Sequence, residues 1–130
     1  MKMILLMIGL HLIADFTLQG WFANGKQKRW WQEQCHKQEI DITPYQHDWI
    51  VAIVAHGLQW TLITFAPLIY LWNESNGGGW TLFLMSAMNT FVHAFVDDLK
   101  ANRYAINLFQ DQMLHLGQII ITYIGYLYFI

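Results

Sequence analysis

The sequence predicts an all-α protein, an integral membrane four-helix bundle built as a single transmembrane domain over residues 1–130. Hydrophobic residues make up 55% of the chain and charged residues only 12%, whereas soluble domains average about 25% charged residues. Four apolar segments, at about residues 3–19, 49–72, 80–99 and 105–129, each approach the roughly 20 residues that a helix needs to cross a bilayer. No stretch alternates with period two for long enough to predict strands.

The first segment lacks a small-residue cleavage site, so we interpret it as a retained helix and not as a signal peptide. Residues 20–48 are the long polar stretch, predicted to be a loop or a short helix lying on the membrane surface, with Trp30 and Trp31 in it. Pro67 predicts a kink in the second segment. The polar, glycine-rich residues 73–79 predict a turn before the third.

The distribution of positive charges predicts the orientation. The loop after segment one contains Lys26, Lys28, Arg29 and Lys37, and the turn after segment three contains Lys100 and Arg103. The positive-inside rule therefore predicts that these two loops lie in the cytoplasm and that both termini lie outside. A net charge of -2 gives no indication of nucleic-acid binding, and the single cysteine excludes an internal disulfide and a CxxC zinc motif.

Ionisable residues recur inside the apolar segments, where their burial is costly. Three histidine–aspartate pairs are spaced by four residues, so each pair shares one face of a helix. Together with one more histidine they are predicted to meet in one layer and to bind one or two divalent ions per chain, zinc, iron or manganese. The predicted ligands are His11, Asp15, His56, His93, Asp97, Asp111 and His115.

The same layer supplies candidate catalytic residues. Asp15, Asp97 and Asp111 are either metal ligands, groups that orient the histidines or, for one of them, the general base, and the sequence leaves that choice open. Lys100 shares a face with His93 and is predicted to bind an anionic substrate or to stabilise developing charge.

The motifs also resemble a known family. The residues that carry this resemblance are His11-x-x-Ala14-Asp15-Phe16-x-Leu18-Gln19, His56, His93-x-x-x-Asp97-x-x-Lys100 and Asp111-Gln112-x-x-His115. They resemble a family of small multi-pass membrane proteins of bacteria and phages that has no assigned function. The pattern is similar, more distantly, to bacterial membrane-bound metal-dependent hydrolases. The resemblance implies a multi-pass architecture in the bacterial inner membrane and a polar site. Residues 20–48 are longer than the family pattern.

Three functions are compatible with this pattern. The first is a membrane-embedded, metal-dependent hydrolase that acts near the cytoplasmic face on a lipid head group or a cytoplasmic substrate. The second is a proton or metal-ion transporter, although a pathway needs polar groups across the full membrane. The third is a phage-type interaction protein whose polar layer is structural. The expected partners are the lipid bilayer and a lipid or small-molecule substrate, and no nucleic acid is expected. The sequence leaves open whether the chain forms a homo-oligomer.

Overall fold

The computed structural model describes residues 2–74 and 79–129. Within these ranges the chain is all-α and contains no strand. The predicted turn at residues 73–79 lies largely outside the described residues. In chain order the helices are α1 (Lys2–Leu12), which continues into a π-helical turn (Ile13–Thr17), α2 (Phe22–Gly25), α3 (Lys28–Lys37), a 3-10 turn (Thr43–Tyr45), α4 (Asp48–Thr64), α5 (Ala66–Glu74), α6 (Gly79–Ala101) and α7 (Leu108–Phe129).

The predicted membrane-spanning four-helix bundle is wrong. None of the helices in the described ranges is both long enough and apolar enough to span a bilayer. The segments predicted at residues 3–19 and 49–72 are each interrupted. Helices α6 and α7 have 23 and 22 residues, but their buried polar side chains dilute the hydropathy of the apolar runs. The predicted inner-membrane location, with both termini outside, depends on such helices and is therefore also wrong.

Each interruption has a local cause. In the first segment the amide of Leu18 bonds to the carbonyl of Ile13 at 2.9 Å, an i→i+5 bond that defines the π-helical turn. The second segment ends at Phe65 and resumes as α5 at Ala66. Pro67 follows directly, and a proline has no N–H to continue the hydrogen-bond ladder. The sequence predicts a kink there, and the structure has two helices.

Helix α4 lies at the centre of the fold and packs against α1, α2 and α6. Its closest approach is to α6 at Gly57, where an added Cβ would lie 2.8 Å from the carbonyl oxygen of Thr90. The apolar core nearby includes Met7, Trp60 and Ile119, none of them exposed. The tight contact between α4 and α6 brings the polar residues of these two helices together.

The polar stretch after α1 folds back over the end of α6. The backbone amide of Lys28 donates to Oδ1 of Asn102 at 2.7 Å, and Nδ2 of Asn102 donates to the carbonyl of Lys26 at 3.1 Å. Asn102 follows α6 directly, so its amide fastens the start of α3 to the end of α6. This attachment places the side chain of Lys26 inside the protein.

The outer faces of the helices carry many large apolar side chains. Val51, Phe91 and Ile121, on α4, α6 and α7, expose 70%, 71% and 72% of their surface. Large apolar side chains usually mark a contact surface where they are exposed together in one patch.

Candidate metal centre

All seven predicted ligands lie in one buried cluster. The turn from α1 into the π-helix supplies His11 and Asp15, and α4 supplies His56. Helix α6 supplies His93 and Asp97, and α7 supplies Asp111 and His115. None of the seven exposes more than 8% of its surface. The four-residue spacing therefore delivers the side chains from four parts of the chain to one place.

The carboxylate of Asp15 lies beside the imidazoles of His56 and His93. Its Oδ1 lies 3.5 Å from Nε2 of His56 and 3.8 Å from Nε2 of His93. Its Oδ2 accepts a hydrogen bond from Nε2 of Gln112 at 3.1 Å. The two oxygens of this one carboxylate thus face different neighbours.

His115 lies between the other two carboxylates. Its Nε2 is 3.4 Å from Oδ1 of Asp111 and 3.7 Å from Oδ1 of Asp97. The rings of His93 and His115 stack with their centroids 4.1 Å apart. The indole of Trp60 also stacks on His93, with centroids 4.2 Å apart, and its centroid lies 5.5 Å from that of the His115 ring. From the sequence, the tryptophans are interpreted as residues that lie at the membrane surface or pack between helices. Nothing in the sequence distinguishes Trp60 from the others as a neighbour of the histidines.

His11 has a different environment from the other three histidines. The indole Nε1 of Trp60 donates to Nδ1 of His11 at 2.8 Å, and an indole nitrogen can only donate. His11 therefore carries its proton on Nε2, which donates to Oε1 of Gln112 at 3.1 Å. Both ring nitrogens are engaged, so in this arrangement His11 orients Gln112.

Several potential ligand atoms in the cluster have no hydrogen-bond partner among the residues that the structure describes. These atoms are Asp15 Oδ1, Asp111 Oδ1, His56 Nδ1 and both ring nitrogens of His93 and of His115. Buried polar atoms are nearly always hydrogen-bonded, to protein or to water, so a concentration of exceptions needs an explanation.

Two lysines neutralise part of the negative charge. Nζ of Lys26 donates to Oδ2 of Asp97 at 2.6 Å, and only 4% of Lys26 is exposed. Nζ of Lys100 donates to Oδ2 of Asp111. With neutral histidines, three carboxylates and two ammonium groups leave the cluster with one net negative charge. Sequence reasoning singles out Lys100 and misses Lys26, which in sequence is one of several cations in a polar loop.

The pKa values follow from this balance of burial and charge. Burial acts to raise the pKa of Asp97, but His115 and Lys26 outweigh it and hold this pKa well below its usual range. Burial acts to lower the pKa of His115, but the carboxylates of Asp111 and Asp97 outweigh it and raise this pKa to about 9. Burial is the largest cause of the lowered pKa of His93. In the metal-free site these shifts keep Asp97 ionised and His115 protonated at neutral pH, and the charge of His115 offsets the single negative charge counted with neutral histidines.

Three groups of buried side chains in this cluster could hold a metal ion. They are Asp15 with His56 and His93, His93 with Asp97 and His115, and Asp15 with Asp111 and His115. Within each group the ligand atoms lie within 4.8 Å of one another. Imidazole and carboxylate donors of this kind suit zinc, iron or manganese.

Comparison with known proteins does not assign this chain to a family. No protein-family model, curated protein or solved structure matches this chain. The resemblance noted in the motifs therefore stays a prediction, and a functional argument depends on the cluster itself.

Proposed function

We propose that the chain is a metal-dependent hydrolase whose active centre is the buried histidine–aspartate cluster. The observation that carries the proposal is the set of buried ligand atoms without a hydrogen-bond partner, above all the two ring nitrogens of His93. A structural polar core would be expected to satisfy such atoms, because each costs about 1–3 kcal/mol when it is buried without a partner. A bound cation satisfies several of them together.

The chemistry follows from the types of donor. A divalent ion, if held by these imidazoles and carboxylates, would lower the pKa of a coordinated water towards about 7 and would polarise a carbonyl or phosphoryl group. Burial strengthens these electrostatic effects, because little solvent screens them.

The neighbouring residues have separate roles. Asp97 stays ionised, since its pKa is held low, and its Oδ1, 3.7 Å from Nε2 of His115, would be a candidate acceptor for the proton of a water bound at the centre. Lys100 is the more accessible lysine, with 27% of its side chain exposed. It is therefore the group that would contact an anionic substrate and stabilise charge that develops during hydrolysis.

One rival function has support in the structure. The two ion pairs, Lys26 with Asp97 and Lys100 with Asp111, are what a purely structural polar layer would contain. In that case the cluster would specify how the helices pair and would bind no metal.

Metal analysis of the purified protein distinguishes the two. The metal content of wild type is compared with that of His93→Ala and of His36→Ala, in which an exposed histidine outside the cluster is replaced. The hydrolase proposal predicts metal in wild type and His36→Ala, and a loss in His93→Ala. It also predicts that a chelator lowers the melting temperature of wild type. Metal-free wild type that cannot be reconstituted, with a melting temperature unaffected by chelator, would establish the structural role instead.

Activity is then measured on the reconstituted protein with chromogenic carboxylic and phosphoric esters. Hydrolysis should require the metal, and His93→Ala should lose it while His36→Ala retains it. If metal-loaded wild type hydrolyses neither class of ester, the centre binds metal for a purpose other than hydrolysis of these bonds.

A further inference from the structure

The three potential metal-binding groups overlap in a particular way. Each pair of groups shares one residue: His93 joins the first and second, Asp15 the first and third, and His115 the second and third. The groups therefore cannot all be filled independently. Which two could be filled together depends on which shared residue can serve two ions.

Ligand chemistry selects one combination. A neutral imidazole coordinates through a single unprotonated nitrogen, so His93 or His115 serves one ion. A carboxylate has two oxygens and can bind one ion with each. Only the two groups that share Asp15 can therefore be occupied at the same time.

The orientation of Asp15 fits this selection. Its Oδ1 faces Nε2 of His56 and of His93, at 3.5 and 3.8 Å. Its Oδ2 is held by the amide of Gln112, which also donates to Oδ2 of Asp111 at 3.0 Å. Oδ1 thus faces the two histidines of the first group, and Oδ2 shares the amide of Gln112 with Asp111 of the third group.

The backbone gives independent support. Asp15 lies in the π-helical turn, and short π-helical insertions occur frequently at functional sites. In the third group, Oδ1 of Asp111 faces Nε2 of His115. The other oxygen of Asp111, Oδ2, accepts hydrogen bonds from Lys100 and Gln112. Gln112 is itself fixed by the hydrogen bond from His11, so one amide positions both carboxylates.

We infer that the cluster holds two divalent cations bridged by the carboxylate of Asp15, one bound by His56 and His93 and the other by Asp111 and His115. This inference rests on the proposed function and specifies its metal centre. Asp97 keeps its ion pair with Lys26 and is not a required ligand of either ion. An ion at Nε2 of His56 replaces the Gln19 amide, which lies 3.2 Å from that nitrogen. Two ions sharing a carboxylate lie about 3.5–4 Å apart.

Manganese is a suitable probe, because two Mn²⁺ ions at this separation are magnetically coupled. Metal-free protein is reconstituted with Mn²⁺, and the bound metal is measured by elemental analysis and electron paramagnetic resonance. We expect two ions per chain and a coupled spectrum. Asp15→Asn should lose at least one ion and all of the coupling, whereas the matched control Asp97→Asn should keep two coupled ions.

The opposite pattern overturns the inference. A single-ion site at His93, Asp97 and His115 would give one uncoupled ion in wild type, lost in Asp97→Asn and kept in Asp15→Asn. The proposed function would survive that result, whereas the absence of any bound manganese would overturn both.

Two histidine variants keep the test decisive if Asp15→Asn does not fold. His56→Gln and His115→Gln lie on opposite sides of the bridge, so each should retain one uncoupled ion. Two coupled ions in either variant would contradict the bridged arrangement. Circular dichroism of each variant establishes that it is folded before its metal is counted.

Discussion

At the scale of single residues, the burial of Lys26 has a large expected effect on stability. Lys26→Met leaves Asp97 buried with less compensating charge, and breaking a buried ion pair in this way costs about 3–5 kcal/mol. Lys28→Met is the matched control, because Lys28 is exposed two residues away, and should change stability by less than about 0.5 kcal/mol. Urea unfolding of the metal-free proteins measures both. Equal stability of the two variants would show that the ion pair is not maintained in solution.

The raised pKa of His115 predicts how metal binding depends on pH. The metal-free imidazole is protonated below its pKa of about 9, and a ligand imidazole must be neutral, so binding releases this proton. Affinity should therefore rise as pH increases from 7 to 9, by about tenfold per unit, and level off above that range. An ordinary histidine, with a pKa near 6.5, would give no such dependence.

Calorimetric titration with Mn²⁺ at pH 7.5, in buffers of different ionisation enthalpy, counts the protons released. Wild type should release about one proton more than His115→Gln. Equal release by the two proteins would mean that His115 is already neutral, or is not a ligand.

The members of the cluster are easier to predict from the sequence than the role of each one. The four-residue spacing of three histidine–aspartate pairs, with His56 in a further apolar run, identifies all seven residues. Lys26 cannot be identified in this way, because its ion pair with Asp97 joins residues 71 apart in sequence. The engagement of His11 with Trp60 is equally invisible to local patterns.

At the scale of helices, apolar runs locate the elements but do not show where they break. Residues 3–19 are uniformly apolar enough to predict one helix, and the change from α-helical to π-helical hydrogen bonding at Ile13 has no local signal. Pro67 does signal the boundary between α4 and α5. The inference of membrane spans fails because length and apolarity are judged over whole runs that the fold divides or fills with buried polar side chains.

The contact between α4 and α6 can be tested at Gly57. An added Cβ would lie 2.8 Å from the backbone oxygen of Thr90, so Gly57→Ala must push the two helices apart. We expect a loss of about 1–3 kcal/mol in stability. Because the same helices carry His56 and His93, we also expect weaker metal binding.

Gly117→Ala on α7 is the matched control, since nothing lies within 4 Å of its added Cβ. It should be neutral or up to about 1 kcal/mol more stable, because alanine favours helix. Thermal unfolding and metal titration of the two variants measure both effects. An unaffected Gly57→Ala protein would show that the helices are not in the close contact described.

At the scale of the whole molecule, a polar cluster is buried beside the apolar core, while many large apolar side chains lie on the surface. Side chains such as Val51 and Ile121 expose 70% and 72% of their surface. Burial of such surface is favourable by about 25 cal/mol per Å². We therefore expect the purified chain to self-associate in plain buffer and to be dispersed by a non-ionic detergent.

Sedimentation velocity with and without detergent measures this association. Val51→Ser combined with Ile121→Ser should reduce it, whereas Lys28→Met, which leaves these faces intact, should not. A monodisperse monomer of wild type in plain buffer would contradict the prediction.

Because Cys35 is buried, the rate at which its thiol reacts can also report local opening of the protein. This is the single thiol of the chain, and only 4% of it is exposed on α3. A thiol reagent can react at an appreciable rate only when α3 opens locally, so the rate of labelling measures the frequency of that opening. The segment that carries Cys35 is fastened to the end of α6 through Asn102, beside Lys26. The labelling rate therefore reports how often α3 opens around Cys35, and the measurement needs no engineered probe.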